Sequence, residues 1–417
     1  MIGLAVVLVT ILGCAAFQCF KGTIVKAFAT IIVAICASIV AFGYFEVLAN
    51  IFISRFPSLM PWAHSLSFAL LFIVTFAVLQ TAAAQLTRQP VDLGFLPERI
   101  GRVICGIFLG LILSGLLLTT VAMAPLPNNY PYQRFDERNP SAQRPNRVFL
   151  NADGFATGWF SLVSRGSLRA IRNPRSFAVL HPAFLDQIFL NRHNDSSNIP
   201  LLTSAESIDV QKKDSVWYVP PATVFNDADA NPITPKSGHR LIVVRMGIRK
   251  NSIKDAGKFT PAQLRLICKQ KNYAKGKLVG KGINIYPIGY ISGKNQIQTK
   301  KLSEPITVVR DDFASQETRK YIDFVFEVPD DYAPVLLEFK LNNVVEVPRP
   351  VSEQVPAPLP FVERSRTGTE TTTGEKPAEQ RPPASPPPNQ DQSGSPSRNR
   401  GLSNLSRSIV GDQLDEE

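Results

Sequence analysis

Histidine and cysteine are scarce in this chain, at four and five residues among 417. Cys14, Cys19, Cys36 and Cys105 lie inside apolar runs, where a thiol behaves as a small hydrophobe. Cys268 stands alone in the polar remainder, so that part can form no internal disulfide. No CxxC pair and no Cys/His spacing of a zinc site occurs. GxSxG, a glycine-rich phosphate loop and HExxH are also missing, which removes the commonest signs of a serine hydrolase, a nucleotide-using enzyme and a zinc protease. The chain is read as non-enzymatic, with no cofactor and no metal.

Charge is sparse at the start. The first 125 residues hold six Lys/Arg (Lys21, Lys26, Arg55, Arg88, Arg99, Arg102) and three acids (Glu46, Asp92, Glu98). Between them run four apolar stretches, 2–20, 24–45, 66–86 and 100–123. Each is close to the roughly 20 residues that cross about 30 Å of hydrocarbon at 1.5 Å per residue. No Lys or Arg precedes the first stretch, so the basic start of a secretory signal is lacking. Ile11 to Cys14 resembles a lipoprotein cleavage box, but the run continues past Cys14 to Phe20 and is expected to stay as a span.

Basic residues in short loops orient the spans. Loops one and three carry Lys21, Lys26, Arg88, Arg99 and Arg102, whereas loop two carries only Arg55. Loops one and three are therefore expected in the cytoplasm. Both termini and the polar remainder are expected outside it, on a multi-pass protein of the bacterial inner membrane.

Lipid gives helices no hydrophobic reason to associate, so small residues must allow close approach. Span two offers Ala27, Thr30, Ala34, Ala37 and Ala41; span four offers Gly106, Gly110, Ser114 and Gly115. These two seams are expected to face each other or a second copy of the chain. Polar residues inside the spans are few: Gln18 and Gln80 are uncharged, and Glu46 falls at the outer end of span two. No acid pair or broken helix of the transporter kind is seen.

These residues resemble the colicin V production protein family (CvpA) over residues 1–125. Lys21-Gly22 is similar to the family's basic-Gly turn after span one. Glu98-Arg99 takes the acidic-basic place at the entry to span four, and Gly106 and Gly110 match two of the glycines that follow at four-residue spacing. The family's first glycine falls on Arg102, with Gly101 beside it. The resemblance implies a membrane scaffold or accessory factor tied to colicin V or toxin production or export, and it implies no active site.

Behind span four the composition changes. Residues 126–350 hold 32 Lys/Arg against 21 Asp/Glu, and the tail from 351 holds seven against ten. A Pro/Asn-rich linker (126–147) leads to a mixed region (148–206) with a short helix at Phe184, Leu185, Ile188 and Phe189. From 207 to 348, seven runs read as strands: 216–219, 241–248, 264–268, 283–288, 306–309, 321–328 and 336–341. Turn residues separate them, which favours an all-β two-sheet sandwich. The string FVFEVPDDYAPVLLEFK, residues 324–340, resembles the last hairpin of immunoglobulin-like domains on bacterial surface proteins. Residues 349–417, rich in Pro, Ser and Glu with Phe361 their only aromatic, are expected to be disordered.

Fourteen basic residues against one acid, Asp255, lie between Leu241 and Lys301. Arg265, Lys269, Lys271, Lys275, Lys277 and Lys281 among them form either a contact surface for anionic lipid or cell-wall polymer, or a solvated face. Nucleic acid is not expected as a partner, because no aromatic-interleaved binding motif accompanies the charge. His181, Asp186 and His193 lie close in sequence; a helix cap at His181-Pro182 is the simplest account, and a hydrolytic or metal site is the sharper one. The functional expectation is an envelope scaffold with envelope or export proteins as partners. The alternatives are a transporter or channel component, or a membrane-anchored hydrolase at His181.

Overall fold

The computed structural model describes residues 2–364, apart from 21–22, 88–93, 137–139, 141, 143–144, 166–176, 194–198, 205, 272–281 and 352–354. Four helices, α1 (Ile2–Phe20), α2 (Ile24–Arg55), α3 (Ala63–Leu86) and α4 (Phe95–Ala122), are long and apolar enough to cross a membrane. Helix α2 outlasts its apolar run because nothing stops it before Phe56-Pro57, where the residue ahead of a proline is forced out of helical geometry. At its other end the Thr23 side chain caps the Lys26 amide at 3.4 Å.

The spans pack in the order α1, α4, α2, α3, with α1 held mainly by α4 and α3 mainly by α2. This corrects the expectation that the two small-residue seams face each other or a second copy. A Cβ on Gly106 would stand 2.6 Å from Ala15 Cα, and one on Gly110 2.5 Å from Ile11 Cα, so this seam of α4 receives the backbone of α1. Gly115 is closed in the same way by Ala152 O of a later helix, at 2.2 Å. Ala34, Ala37 and Ala41 of α2 are fully buried within the chain. Gln80 Nε2 donates to Thr30 Oγ1 at 3.3 Å, tying α3 to α2 by a side-chain hydrogen bond of the kind that helps hold helices together in lipid.

One end of the bundle carries the rest of the chain. Gly3 N donates to Pro131 O, Ser65 Oγ joins the start of α3 to Thr120 O of α4, and Arg192 Nη1 reaches Ala124 O. The start of α1, the end of α2, the start of α3 and the end of α4 thus lie on one side, as in an up-and-down bundle. On that side lie α5 (Ala152–Arg165), α6 (Phe177–Leu180) and α7 (Phe184–Arg192). The short helix expected at 184–189 is α7. Helix α5 was not expected, although Phe155, Trp159 and Leu162 recur at helical spacing and all three are exposed.

The β region holds fourteen strands among the described residues: β1 (Ile208–Asp209), β2 (Val216–Tyr218), β3 (Phe225–Asn226), β4 (Pro232–Ile233), β5 (His239–Arg249), β6 (Lys258–Phe259), β7 (Leu264–Gln270), β8 (Ile283–Ile285), β9 (Pro287–Gly293), β10 (Gln296–Thr299), β11 (Ile306–Thr307), β12 (Arg319–Pro329), β13 (Tyr332–Phe339) and β14 (Asn343–Glu346). All seven expected strand runs contain one. The large sheet runs β1-β5-β12-β9-β10-β3-β4, with β2 also on β5; it is antiparallel except where β10 meets β3. The smaller sheet runs β14-β13-β7-β8, and β6 pairs with β11 apart from both. Alternation sorts the side chains. Ile242, Val244, Met246, Ile322, Phe324 and Phe326 of the large sheet share a core with Leu264, Leu266, Cys268, Leu337 and Phe339 of the small one. Each such side chain contributes about 1.5–3 kcal/mol by leaving water.

Two expectations change here. Residues 324–340 are not a hairpin: β12 pairs with β5 and β9, β13 pairs with β7 and β14, and Asp330-Asp331 carries the chain from one sheet to the other. The tail expected to lose order at 349 instead continues across the large sheet to Arg364, with Phe361 2% exposed beneath the ring of Tyr290 at 5.4 Å. A single aromatic sufficed because β9 had left a place for it. The rest of the tail, 365–417, lies outside the described residues.

Candidate functional site

The polar groups that invite a functional reading meet where the span ends touch the β region. Strand β7 has both faces covered. Leu264, Leu266 and Cys268 point into the β core, so Arg265 and Ile267 point the other way, toward α6 and α7. Strand β13 does the same with Glu338 and Leu336. Arg265 is only 3% exposed and forks onto Glu338, Nε donating to Oε1 at 3.0 Å and Nη2 to Oε2. Its Nη1 donates to Asn284 Oδ1 at 2.6 Å, and Nη2 lies 3.3 Å from His181 Nδ1.

His181 stands between α6 and α7 and is itself buried. Its Nδ1 faces Gln187 Oε1 at 2.8 Å, and its Nε2 meets Glu46 Oε1 of α2 at 2.6 Å. A carboxylate can only accept, so Nε2–H is the donor there. One chain of contacts therefore runs from the small sheet through Arg265 and His181 to Glu46 of α2. The expected cap at His181 is replaced by this link: α7 begins at Phe184 after Ala183, and Asp186 bonds Arg134 rather than His181.

A second network lies beside it. Arg134 Nε donates to Asp186 Oδ1 at 2.7 Å, and its Nη1 donates to the Tyr132 hydroxyl at 2.8 Å, which in turn bonds Asp153. Burial and then Asp153 push the Tyr132 phenol up, so it stays neutral. Burial alone weakens the charge on Arg134, but Tyr132, Asp186 and Asp153 outweigh it and raise its pKa. Burial pulls Arg192 down to about 10, still a cation at neutral pH, and its guanidinium lies 4.8 Å over the Phe189 ring.

Aromatic rings fill the space between the networks. Phe42 of α2 stacks on Phe160 of α5 at 5.0 Å and meets Phe68, Phe177 and Phe184 edge-on at 4.8–6.0 Å. Phe45 adds edge contacts to Phe184 and to His64, whose Nε2 finds no partner among the described residues. Such pairs contribute about 0.5–1.5 kcal/mol each beyond area burial. A cavity of about 820 Å³ opens beside this layer, with Glu46, Asn50 and His64 on the span side and Asp209, Arg249 and Asn343 on the β side. Glu46 is 36% exposed into open space, unlike its partner His181.

The residues singled out in the sequence fall as follows. Lys21, Gly22, Lys275, Lys277 and Lys281 lie outside the described residues. Glu98 and Arg99 open α4, with the Arg99 guanidinium over Phe95 at 5.8 Å. Lys271 Nζ donates to Asp330 O at 2.7 Å, and Lys269 is one strand step away. Arg265 is no part of an anionic contact surface, because the face of β7 that carries it is covered by the helices. His193 is buried, and no group of three His, Cys, Asp or Glu able to hold a metal occurs among the described residues. The link from Glu46 to His181 joins positions 135 apart, and neither residue carried a local signal of it. No family model, curated protein or solved structure matches this chain.

Proposed function

We propose that this chain is a non-enzymatic scaffold of the bacterial inner membrane, an accessory factor for toxin production or export of the colicin V production protein kind. Its spans hold the β region in one orientation outside the cytoplasm, where it braces envelope or export proteins. The observation that carries this reading is the docking layer: Glu46 to His181 and the Phe42 ring cluster join the span ends to α5, α6 and α7, and His181 to Arg265 joins those helices to the β region. The four spans, their loop charges and the glycines of α4 support the family kinship. Two sheets around one core support an immunoglobulin-like brace, although residues 324–340 no longer do. No described Ser, Thr or Cys is hydrogen-bonded to His181, which leaves the hydrolase reading without a nucleophile.

Orientation is tested with single cysteines at Ser237, exposed beside the large sheet, and at Gln89 of the third loop, in a chain whose native cysteines are alanine. A membrane-impermeant thiol reagent should label Ser237→Cys in intact cells and Gln89→Cys only after lysis. The opposite pattern would place the β region in the cytoplasm. The scaffold reading also expects toxin export to fall only with undocking. If Glu46→Gln abolishes export while the protease-cleavage pattern of the β region is unchanged, a transport role for the spans replaces it.

A further inference from the structure

A second cavity lies within the spans themselves. It is a cleft of about 300 Å³ between α2 and α4, lined by Phe28, Ile35, Ser38, Cys105, Phe108 and Ile112, and closed at one end by Phe155 and Trp159 of α5. Nothing in it asks for a polar ligand. Ser38 Oγ already donates to Ile35 O at 2.7 Å, and every other lining group is apolar or a thiol.

Depth identifies the occupant. Along α2 the lining runs from Phe28 to Ser38 and along α4 from Cys105 to Leu116, which is about 15 Å of helix at 1.5 Å per residue. One leaflet supplies the same length, half of about 30 Å of hydrocarbon. The cleft begins just inside the charged ends at Lys26 and Arg102, on the side away from the β region. It stops past mid-bilayer, where α5 crosses above it. Helix α5 can lie that deep because Gly115 admits Ala152 O and Phe160 stacks on Phe42, while Phe155, Trp159 and Leu162 on its outer face are left exposed. An exposed apolar face on a helix packed against spans belongs in the bilayer interface. A spanning helix from a second copy would have to continue through the place α5 occupies. A hydrocarbon chain ends there of itself.

We propose that this cleft is a lipid site holding one acyl chain of a phospholipid from the leaflet opposite the β region. The headgroup lies at the mouth formed by Glu98 and Arg102, and the chain end lies under Trp159. Phe28 and Phe108, both more than half exposed, flank its opening to the bilayer.

The test uses the native thiols of the full chain in detergent. Cys105 lines the cleft, and Cys36 is exposed elsewhere on α2. Alkylation by N-ethylmaleimide is followed by mass spectrometry while palmitoyl-oleoyl phosphatidylglycerol or phosphatidylethanolamine is added. Cys105 should be protected several-fold with saturation while Cys36 is unaffected, and in Ser38→Leu, whose larger side chain fills the cleft, Cys105 should no longer respond to lipid. Equal dependence of the two thiols would mean ordinary solvation by lipid and would overturn the site. Protection that follows protein rather than lipid concentration would overturn it in favour of a second copy. In a Trp62→Phe background, bromines near the chain end should quench Trp159 more than bromines near the headgroup. The reverse order overturns the leaflet assigned.

Discussion

Two surfaces of the β region are covered by other parts of the chain, and each cover is held by a buried arginine–carboxylate fork. On the small sheet Arg265 and Glu338 face α6, α7 and the His181 between them. On the large sheet Arg245 donates to Asp323 through Nε at 2.7 Å and Nη2 at 2.8 Å, beneath the strap 355–364. Asp323, fully buried, also accepts from Leu359 N at 2.7 Å, and Arg245 Nη2 donates to Ala357 O at 2.7 Å. This fork thus grips the strap through its backbone, which any residue supplies, while Phe361, Glu363 and Arg364 add side-chain contacts of their own. The membrane cover is gripped through side chains, His181 and Glu46, which only those residues supply. A buried pair of this sort is weak evidence for net stability, since desolvation offsets much of its attraction, but removing one partner strands the other charge. The comparison teaches that the two forks act as alignment devices, one indifferent to the sequence it holds and one specific to it.

Breaking the membrane-side fork should have the largest effect. Arg265→Ala leaves Glu338 buried without its cation and should cost about 3–5 kcal/mol, read as a lower thermal midpoint in detergent. The double change Arg265→Met with Glu338→Leu should restore most of that loss. Next comes the strap. Phe361→Ala should cost about 3 kcal/mol and open cleavage sites near 355–364, while the docking of α6 and α7 stays intact. Equal loosening of both covers would show that they are one cooperative unit.

Glu46→Gln is expected to be milder. It replaces a charged acceptor at a half-open position, so about 1–2 kcal/mol is lost and the effect is confined to the span contact. The last effect is a pH dependence and concerns Lys340, buried in the turn after β13, where its Nζ donates to Asp255 O at 2.5 Å and Lys258 O at 2.7 Å. Burial, partly offset by Asp255, pushes it down to about 7. Between about pH 7 and 10 the unfolded chain then binds a proton the folded chain lacks, so stability rises with pH by at most about 1.4 kcal/mol per unit. Denaturant titrations across that window should show the rise, and Lys340→Met should flatten it.

Much of the architecture was legible. The four spans follow from length and sparse charge, and the strand positions follow from alternation and turn residues. The functional link was not legible, for a physical reason: Glu46 looks like an interfacial acid and His181 like a cap until folding puts them 2.6 Å apart. Arg265 looked exposed because a strand whose second face is covered has the same local pattern as one whose second face is wet. Phe361 looked like an isolated aromatic in a polar tail, and only the place beside Tyr290 gives it a core. Helix α5 was within reach, since Phe155, Trp159 and Leu162 share a face, but Gly154 and Gly158 inside it disfavour a helix locally.

Sequence by itself determined that this chain carries four segments long and apolar enough to cross a membrane and that a β region follows, because apolar length and two-residue alternation are local properties that no partner can alter. Tertiary structure decided what touches what: α1 seated on the glycines of α4, α5 laid across a cleft, a strap clasped at Asp323, and a span tied to a sheet through His181. Those outcomes depend on which covered face meets which, and contacts between residues 36 to 135 positions apart are set only when the chain has closed around them.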